Sequence, residues 1–207
     1  WIFTIKSDIV SGLFSTFGTP LAVASNSVQG TMSTYNYTAG RHKDYQRISS
    51  SKIKEIVWSR GGKFHNCMPG CVVKCSIRYN NSKSQWLTSA YEYEALAMLG
   101  TNLGITDPDA IARFKFICDD LGLDLIEIGS SLSVAASVGK MEMGSPDSVL
   151  TLLAEIEEGS EFGHVLADGV VSTANFLGVK RIPAIKGQAI PGHGPRAVKG
   201  IGVTYVT

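Results

Sequence analysis

Residues 107–124, Asp107-Pro108-Asp109-Ala110-Ile111-Ala112-Arg113-Phe114-Lys115-Phe116-Ile117-Cys118-Asp119-Asp120-Leu121-Gly122-Leu123-Asp124, read as a helix and its stop. Ile111, Phe114, Cys118 and Leu121 recur at steps of three and four, which draws one apolar stripe down a helix. Asp107 suits the N-cap, and Pro108 suits the first helical position, where a missing N–H costs nothing. On its own, Gly122 among acids reads as a helix end with a solvated flank.

The same grammar recurs on both sides. Ser145-Pro146 introduces a second stripe, Val149, Leu152, Leu153 and Ile156. A further helix is expected over Val165–Leu177, stopping at Gly178. Upstream, a helix over Leu87–Leu99 would carry Glu94 on one stripe with Leu87, Tyr91 and Met98. Ser51–Trp58 mixes Lys and Glu with Ile53, Ile56 and Val57 in helical register. Residues 1–45, rich in Gly, Ser, Thr and Asn, are expected to be irregular with one short helix near Ile9–Phe17. Strand-like alternation is confined to Val72–Tyr79 and Val198–Val206. The expected fold is mainly α and multihelical. Its expected divisions are a lead-in over 1–45, a helical domain over 46–180 and the start of a further helical domain over 181–207.

The 207 residues are 44% hydrophobic and 18% charged with a net charge of +1, the profile of a globular protein. That balance gives no nucleic-acid surface and no polybasic membrane patch. No apolar run approaches the ~20 residues needed to cross a bilayer. Trp1–Thr4 lacks the charged stretch of a signal peptide. The first residue is not Met, and the chain is expected to be an internal fragment of a larger protein.

Three of the four cysteines, Cys67, Cys71 and Cys75, fall within nine residues, and Cys118 stands far downstream. A secreted disulfide framework would spread its cysteines among small loops, whereas clustered thiols suit a metal in a reducing, cytoplasmic setting. Pro69 and Gly70 bend the loop, so three thiolates can reach three corners of one small cluster. An iron–sulfur cluster prefers this soft ligand set. A zinc site completed by Cys118 or His65, and three unligated thiols, remain alternatives. Cys118, on the apolar stripe, is expected to be buried and apart from the other three.

Several segments together carry a family resemblance. They are the cysteine loop, Tyr91-Glu92-Tyr93-Glu94-Ala95-Leu96, Leu99-Gly100-Thr101-Asn102-Leu103-Gly104-Ile105, Cys118–Asp124, Lys186-Gly187-Gln188, and Pro195-Arg196-Ala197-Val198-Lys199-Gly200. Upstream, Gly30-Thr31-Met32-Ser33-Thr34-Tyr35-Asn36-Tyr37 adds to them. Their order and spacing resemble the second and third domains of the aldehyde:ferredoxin oxidoreductases, over roughly residues 18–207.

The resemblance implies a tungsten or molybdenum held by two pterin dithiolenes, with a [4Fe–4S] cluster passing electrons to ferredoxin or a similar acceptor. It implies a small aldehyde as substrate, a homodimer as the assembly, and Cys67, Cys71 and Cys75 as cluster ligands. Asp119, Gly122, Leu123 and Asp124 match the family's DxxGL(C/D) pterin motif. Short carboxylates at a turn can accept hydrogen bonds from pterin N–H groups, and glycine lets the backbone come close. Lys186 belongs to the family's Lys-Gly cofactor segment.

Glu94 matches the family's catalytic glutamate, and a carboxylate on an apolar face has the raised pKa that proton transfer uses. It is expected to point into a cavity beside Asp119–Asp124. A buried Glu paired to Arg113 is the plainer alternative, and Glu92, facing another side, ranks second.

Three departures qualify the resemblance. The first gap of the cysteine motif holds three residues, where the family commonly has two. The fourth cluster cysteine would lie outside this chain. Ala184 stands where the best-known members carry a catalytic histidine, which makes His193 a substitute candidate and leaves the substrate open. A related enzyme reducing an aromatic thioester or other carbonyl compound, or a non-catalytic iron–sulfur or zinc module, would fit the same residues.

Overall fold

The computed structural model describes residues 7–195 and 198–207. The reading of Trp1–Thr4 and the Arg196-Ala197 part of the Pro195–Gly200 segment lie outside the described residues. The fold is mainly α. In chain order the helices are α1 (Ile9–Phe17), α2 (Leu21–Gln29), α3 (Ser50–Ser59), α4 (Tyr93–Met98), α5 (Pro108–Asp120), α6 (Leu125–Ser137), α7 (Pro146–Glu158), α8 (Glu161–Ala167), α9 (Val170–Phe176) and α10 (Lys199–Val206). Three short strands, β1 (Lys63–His65), β2 (Ser76–Asn80) and β3 (Trp86–Thr88), form an antiparallel sheet in the order β1-β2-β3. Strands β4 (Ala184–Ile185) and β5 (Gln188–Ala189) make a two-residue hairpin. No helix among the described residues is long and apolar enough to cross a membrane.

The quoted stretch folds as its grammar dictates. Asp107 caps α5 by accepting from Asp109 N and Ala110 N, and Ile111, Phe114 and Cys118 are fully buried on its inner face. A large apolar side chain contributes about 1.5–3 kcal/mol on such burial. Helix α5 packs against α4, α7 and β3. Helix α6 packs against α4 and α9, with eight successive residues, Ile128–Ala135, buried. Val23, Met32, Ile53, Tyr91, Leu132 and Leu153 join one continuous core.

Three expectations are corrected. The Leu87–Leu99 helix is shorter: Trp86–Thr88 pairs as β3, and the helix starts only at Tyr93. The Val165–Leu177 helix is two, α8 and α9, because Gly169 takes φ +100° between them. Glu127 of α6 accepts the Val170 N–H there at 3.1 Å and so caps α9 from a distance. Residues 199–206 are helix α10 rather than a strand.

Tyr35, Asn36 and Tyr37 all take left-handed backbone conformations, φ 50°, 51° and 56°. Such a run costs about 1–3 kcal/mol per residue and persists only where neighbours fix it. Here Tyr35 N donates to Thr101 O (3.0 Å), Asn36 N to Asn102 O (2.9 Å) and Arg181 Nη1 to Asn36 O (2.8 Å). The turn aims residues 31–33 back at the 190–195 loop. There Met32 bridges His193, Ser33 N donates to Gly192 O (3.1 Å) and Gly194 N donates to Thr31 O (2.6 Å). That clasp fixes the loop carrying Gly192 and His193 over α2 and α4.

Candidate active site

Glu94 sits in the first turn of α4, half-buried. Its Oε2 accepts from Gly192 N at 2.8 Å, and its Oε1 lies 3.6 Å from His193 Nε2. The His193 ring stacks on Tyr93 with centroids 4.5 Å apart and planes tilted by 31°. Its Nδ1 lies 2.9 Å from Nδ2 of the buried Asn26 on α2. Tyr93 Oη donates to Gly192 O at 2.8 Å, so Gly192 is held through both its N–H and its carbonyl. Burial is the chief reason that the Glu94 carboxyl is held above its ordinary range; the Gly192 N–H opposes that and the charges of Asp124 and Glu92 add to it. Burial likewise pushes His193 below its ordinary value. Both shifts favour the uncharged forms.

Two further carboxylates, Glu92 and Asp124, share a groove with Glu94. Ala90, Glu92, Glu94, Lys115, Asp124 and Ile126 line a groove of about 250 Å³. Glu92 is the N-cap residue of α4, half-buried, and burial raises its pKa while Lys115 lowers it. Asp124 caps α6, its Oδ1 accepting from Ile126 N and Glu127 N at 2.9 Å each. Asp119 pairs with the buried Lys115 at 2.5 Å. Between the two acids the chain turns at Gly122, φ +70°, with Leu123 N donating to Cys118 O (2.8 Å) and Gly122 N to Asp119 O (3.2 Å). This is a Schellman stop followed directly by an N-cap, and it leaves Asp119, Gly122 and Asp124 exposed. Glu94 and Asp124 thus share a groove, whereas Asp119 lies beyond it, joined to it through Lys115. Glu94 faces His193 rather than Arg113, which is exposed.

Lys186 and Gly187 are the two central residues of the β4–β5 turn, with φ +54° and +85°. A two-residue hairpin whose central residues both have positive φ is a type I′ turn, and it leaves Lys186 exposed at the tip. Ala184 is at the base of the same hairpin.

The cysteine loop, residues 66–75, has no regular structure. Cys67 and Cys75 come together: Cys75 sits within hydrogen-bonding reach of Cys67, and burial, followed by the Glu92 charge, raises its thiol pKa. The Cys71 thiol is 3.6 Å from Val73 O. Among the described residues no three His, Cys, Asp or Glu side chains gather as a metal-holding group. Neutral thiols hydrogen-bond only weakly, so by themselves they supply little force to draw such a loop closed. Cys118 is buried inside α5, apart from this loop, and burial pushes its thiol up to about 12.

The family model for "Aldehyde ferredoxin oxidoreductase, domains 2 & 3" matches residues 3–207. The chain belongs to the aldehyde ferredoxin oxidoreductase family. Among the relatives of this oxidoreductase family, the tungsten-containing aldehyde ferredoxin oxidoreductase of Pyrococcus horikoshii is 26% identical over 98% of the chain and 35% of the relative. The Pyrococcus furiosus protein of the same description is 25% identical over the same shares. An aliphatic sulfonate oxidoreductase, WOR-like subunit, of Pyrococcus furiosus is 31% identical over 75% of the chain and 28% of the relative. The chain spans about a third of the length of the tungsten-containing relatives it matches.

Sequence reasoning singled out Glu94 and His193 separately, but not their meeting. It missed Asn26, Tyr93 and Gly192. Of these, only the Pro191-Gly192-His193-Gly194 run carried a signal, since two glycines around a histidine mark a place of close backbone approach.

Proposed function

We propose that the full-length protein is a tungsten- or molybdenum-pterin oxidoreductase that oxidises an aldehyde to its carboxylic acid and delivers electrons through a [4Fe–4S] cluster to ferredoxin or a similar acceptor. The observation that carries this reading is Glu94. Anchored by Gly192 N–H and facing His193, it lines a groove shared with Asp124 of the pterin-like motif. The overall change is aldehyde plus water to acid, with release of two protons and two electrons. When bound, the metal–pterin supplies the two-electron redox chemistry, and the cluster supplies the one-electron exit path.

The chain's own residues would do the rest. Glu94, its carboxyl held above the ordinary range by burial, takes the proton that leaves the attacking water or hydrated aldehyde. Asp124, with one carboxylate oxygen committed to capping α6, and the exposed Asp119 offer acceptors suited to the N–H-rich edge of a pterin. The Gly122-Leu123 stop brings those acids to the surface of the helix joint. Lys186, exposed at the hairpin tip, would meet an anionic part of the cofactor. Cys67, Cys71 and Cys75 form a soft donor set on one irregular loop, and they would hold three corners of the cluster. The fourth ligand would come from elsewhere in the longer protein. His193 is the second proton-handling candidate, and Glu92 the alternative carboxylate.

Metal and pterin analysis of the full-length protein tests this reading. Tungsten or molybdenum with pterin, and about four iron atoms per cluster, are the expected result. Zinc alone would replace the reading with a structural metal module.

Two observations favour a second substrate. By the resemblance, Ala184 stands where the best-known members carry a histidine, and the relative described as an aliphatic sulfonate oxidoreductase is 31% identical. Comparing turnover of aldehydes and aliphatic sulfonates by the loaded enzyme decides between them.

A further inference from the structure

We propose that Asn26 is a positioning residue for the Glu94–His193 pair, fixing the tautomer of His193 so that the ring presents Nε2–H to Glu94. The proposal rests on the acid–base reading of Glu94 given above.

The amide nitrogen of Asn26 lies 2.9 Å from His193 Nδ1. An amide –NH₂ only donates, so Nδ1 must keep its lone pair, and the single proton of a neutral imidazole then sits on Nε2. Nε2 faces Glu94 Oε1 at 3.6 Å, too long for a hydrogen bond and close enough for the two atoms to share a third partner. Since Gly192 N–H already occupies Oε2, Oε1 is the oxygen left for such a partner. An oxygen seated between them would accept from Nε2–H and give its proton to Oε1.

The surroundings hold this arrangement. Asn26 is buried in the last turn of α2, and its backbone carbonyl accepts from Thr31 N at 2.8 Å. Tyr93 stacks on the imidazole, and its hydroxyl is also within reach of the Asn26 amide. Among the described residues, the charged or titratable groups around Glu94 are His193, Glu92, Asp124, Lys115 and Tyr93, with Tyr37 and Tyr205 also feeling its charge. Around His193 they are Glu94 and Tyr93. Nδ1 therefore meets the neutral amide of Asn26, and that amide decides the tautomer.

Asn26→Asp inverts the instruction. A carboxylate accepts, which draws a proton onto Nδ1 and raises the imidazole pKa. In full-length, cofactor-loaded enzyme we expect kcat to fall about 10-fold or more, and the pH-profile limb belonging to His193 to move up by about one unit. In a His193→Phe background the same substitution should move no limb and add no further loss. Asn26→Ala, which only deletes the donor, should lower kcat with His193 present and add nothing in the His193→Phe background, at constant metal and pterin content. An unmoved limb in Asn26→Asp, or equal losses from Asn26→Ala in both backgrounds, would overturn the proposal. Full turnover by Glu94→Gln would instead remove the acid–base reading beneath it, whatever the Asn26 variants do.

Discussion

The backbone N–H of Gly192 donates to Glu94 Oε2 at 2.8 Å, joining residues 98 apart in sequence. Only glycine permits the approach. A Cβ at position 192 would lie 2.7 Å from that same oxygen, 2.7 Å from Ala97 Cβ and 3.2 Å from Tyr93 Cε1.

Gly192→Ala should therefore push the loop away from α4. We expect a loss of about 1–3 kcal/mol in unfolding free energy, the usual scale of overpacking, together with lowered turnover. Chemical denaturation of the full-length variant measures the first and steady-state kinetics the second. An unchanged midpoint would mean that the loop does not lie against α4 as described.

The raised Glu94 pKa has a pH signature. A carboxyl whose folded pKa exceeds its ordinary 4.5 binds its proton more tightly when folded. Its contribution to stability is complete below pH 4.5 and is lost as pH rises through the folded value. Glu94→Gln removes that loss, so the variant should gain thermal stability over the parent at neutral pH and none in acid below the ordinary carboxyl value. Melting curves across that range check it, and an equal gain at both ends would contradict the burial argument.

The cysteines separate by position. Cys75→Ser should lower the iron content of the full-length protein, because Cys75 belongs to the loop donor set. Cys118→Ser should keep iron but lose about 1–3 kcal/mol of stability, since it puts a hydroxyl where the thiol is fully buried. Iron per chain and unfolding midpoints read the two effects. Iron lost with Cys118→Ser alone would reverse the assignment.

The fold was legible wherever a cap met a stripe. Asp107-Pro108 and Ser145-Pro146 open α5 and α7 where the sequence places them, and Gly159 closes α7 in the left-handed conformation. Helix α6 gave no such signal: Gly129, Ser130, Ser131 and Ser133 are buried with their apolar neighbours, so no polar face marks its period. Helix α2, unlike α6, lacks a side-chain cap, and its Ser, Asn and Gln read as loop. Residues 199–206 misled by β-branched composition, a weak guide against tertiary context. The strand near Val72–Tyr79 is real but shifted to Ser76–Asn80, because β1 and β3 set its register.

At the candidate site, sequence marked the acids and His193 but not the groups that hold them, Asn26 and Gly192. Glu94 was visible as a carboxylate among apolar residues, although the stripe assigned to it included Leu87, which lies in β3. Asn26 was invisible because a lone amide in a short helix has many ordinary uses, and its partner His193 is 167 residues away. Such long-range pairs depend on the clasp between residues 31–33 and 192–194, which no local pattern announces.

The central claim is that Glu94 handles the proton, and one measurement addresses it most directly: kcat of full-length Glu94→Gln, with metal and pterin quantified in the same preparation. Loss of a general acid–base group predicts a fall of ~10²-fold or more at unchanged cofactor content. Normal turnover with the cofactor in place would contradict the account and shift attention to Glu92 and His193.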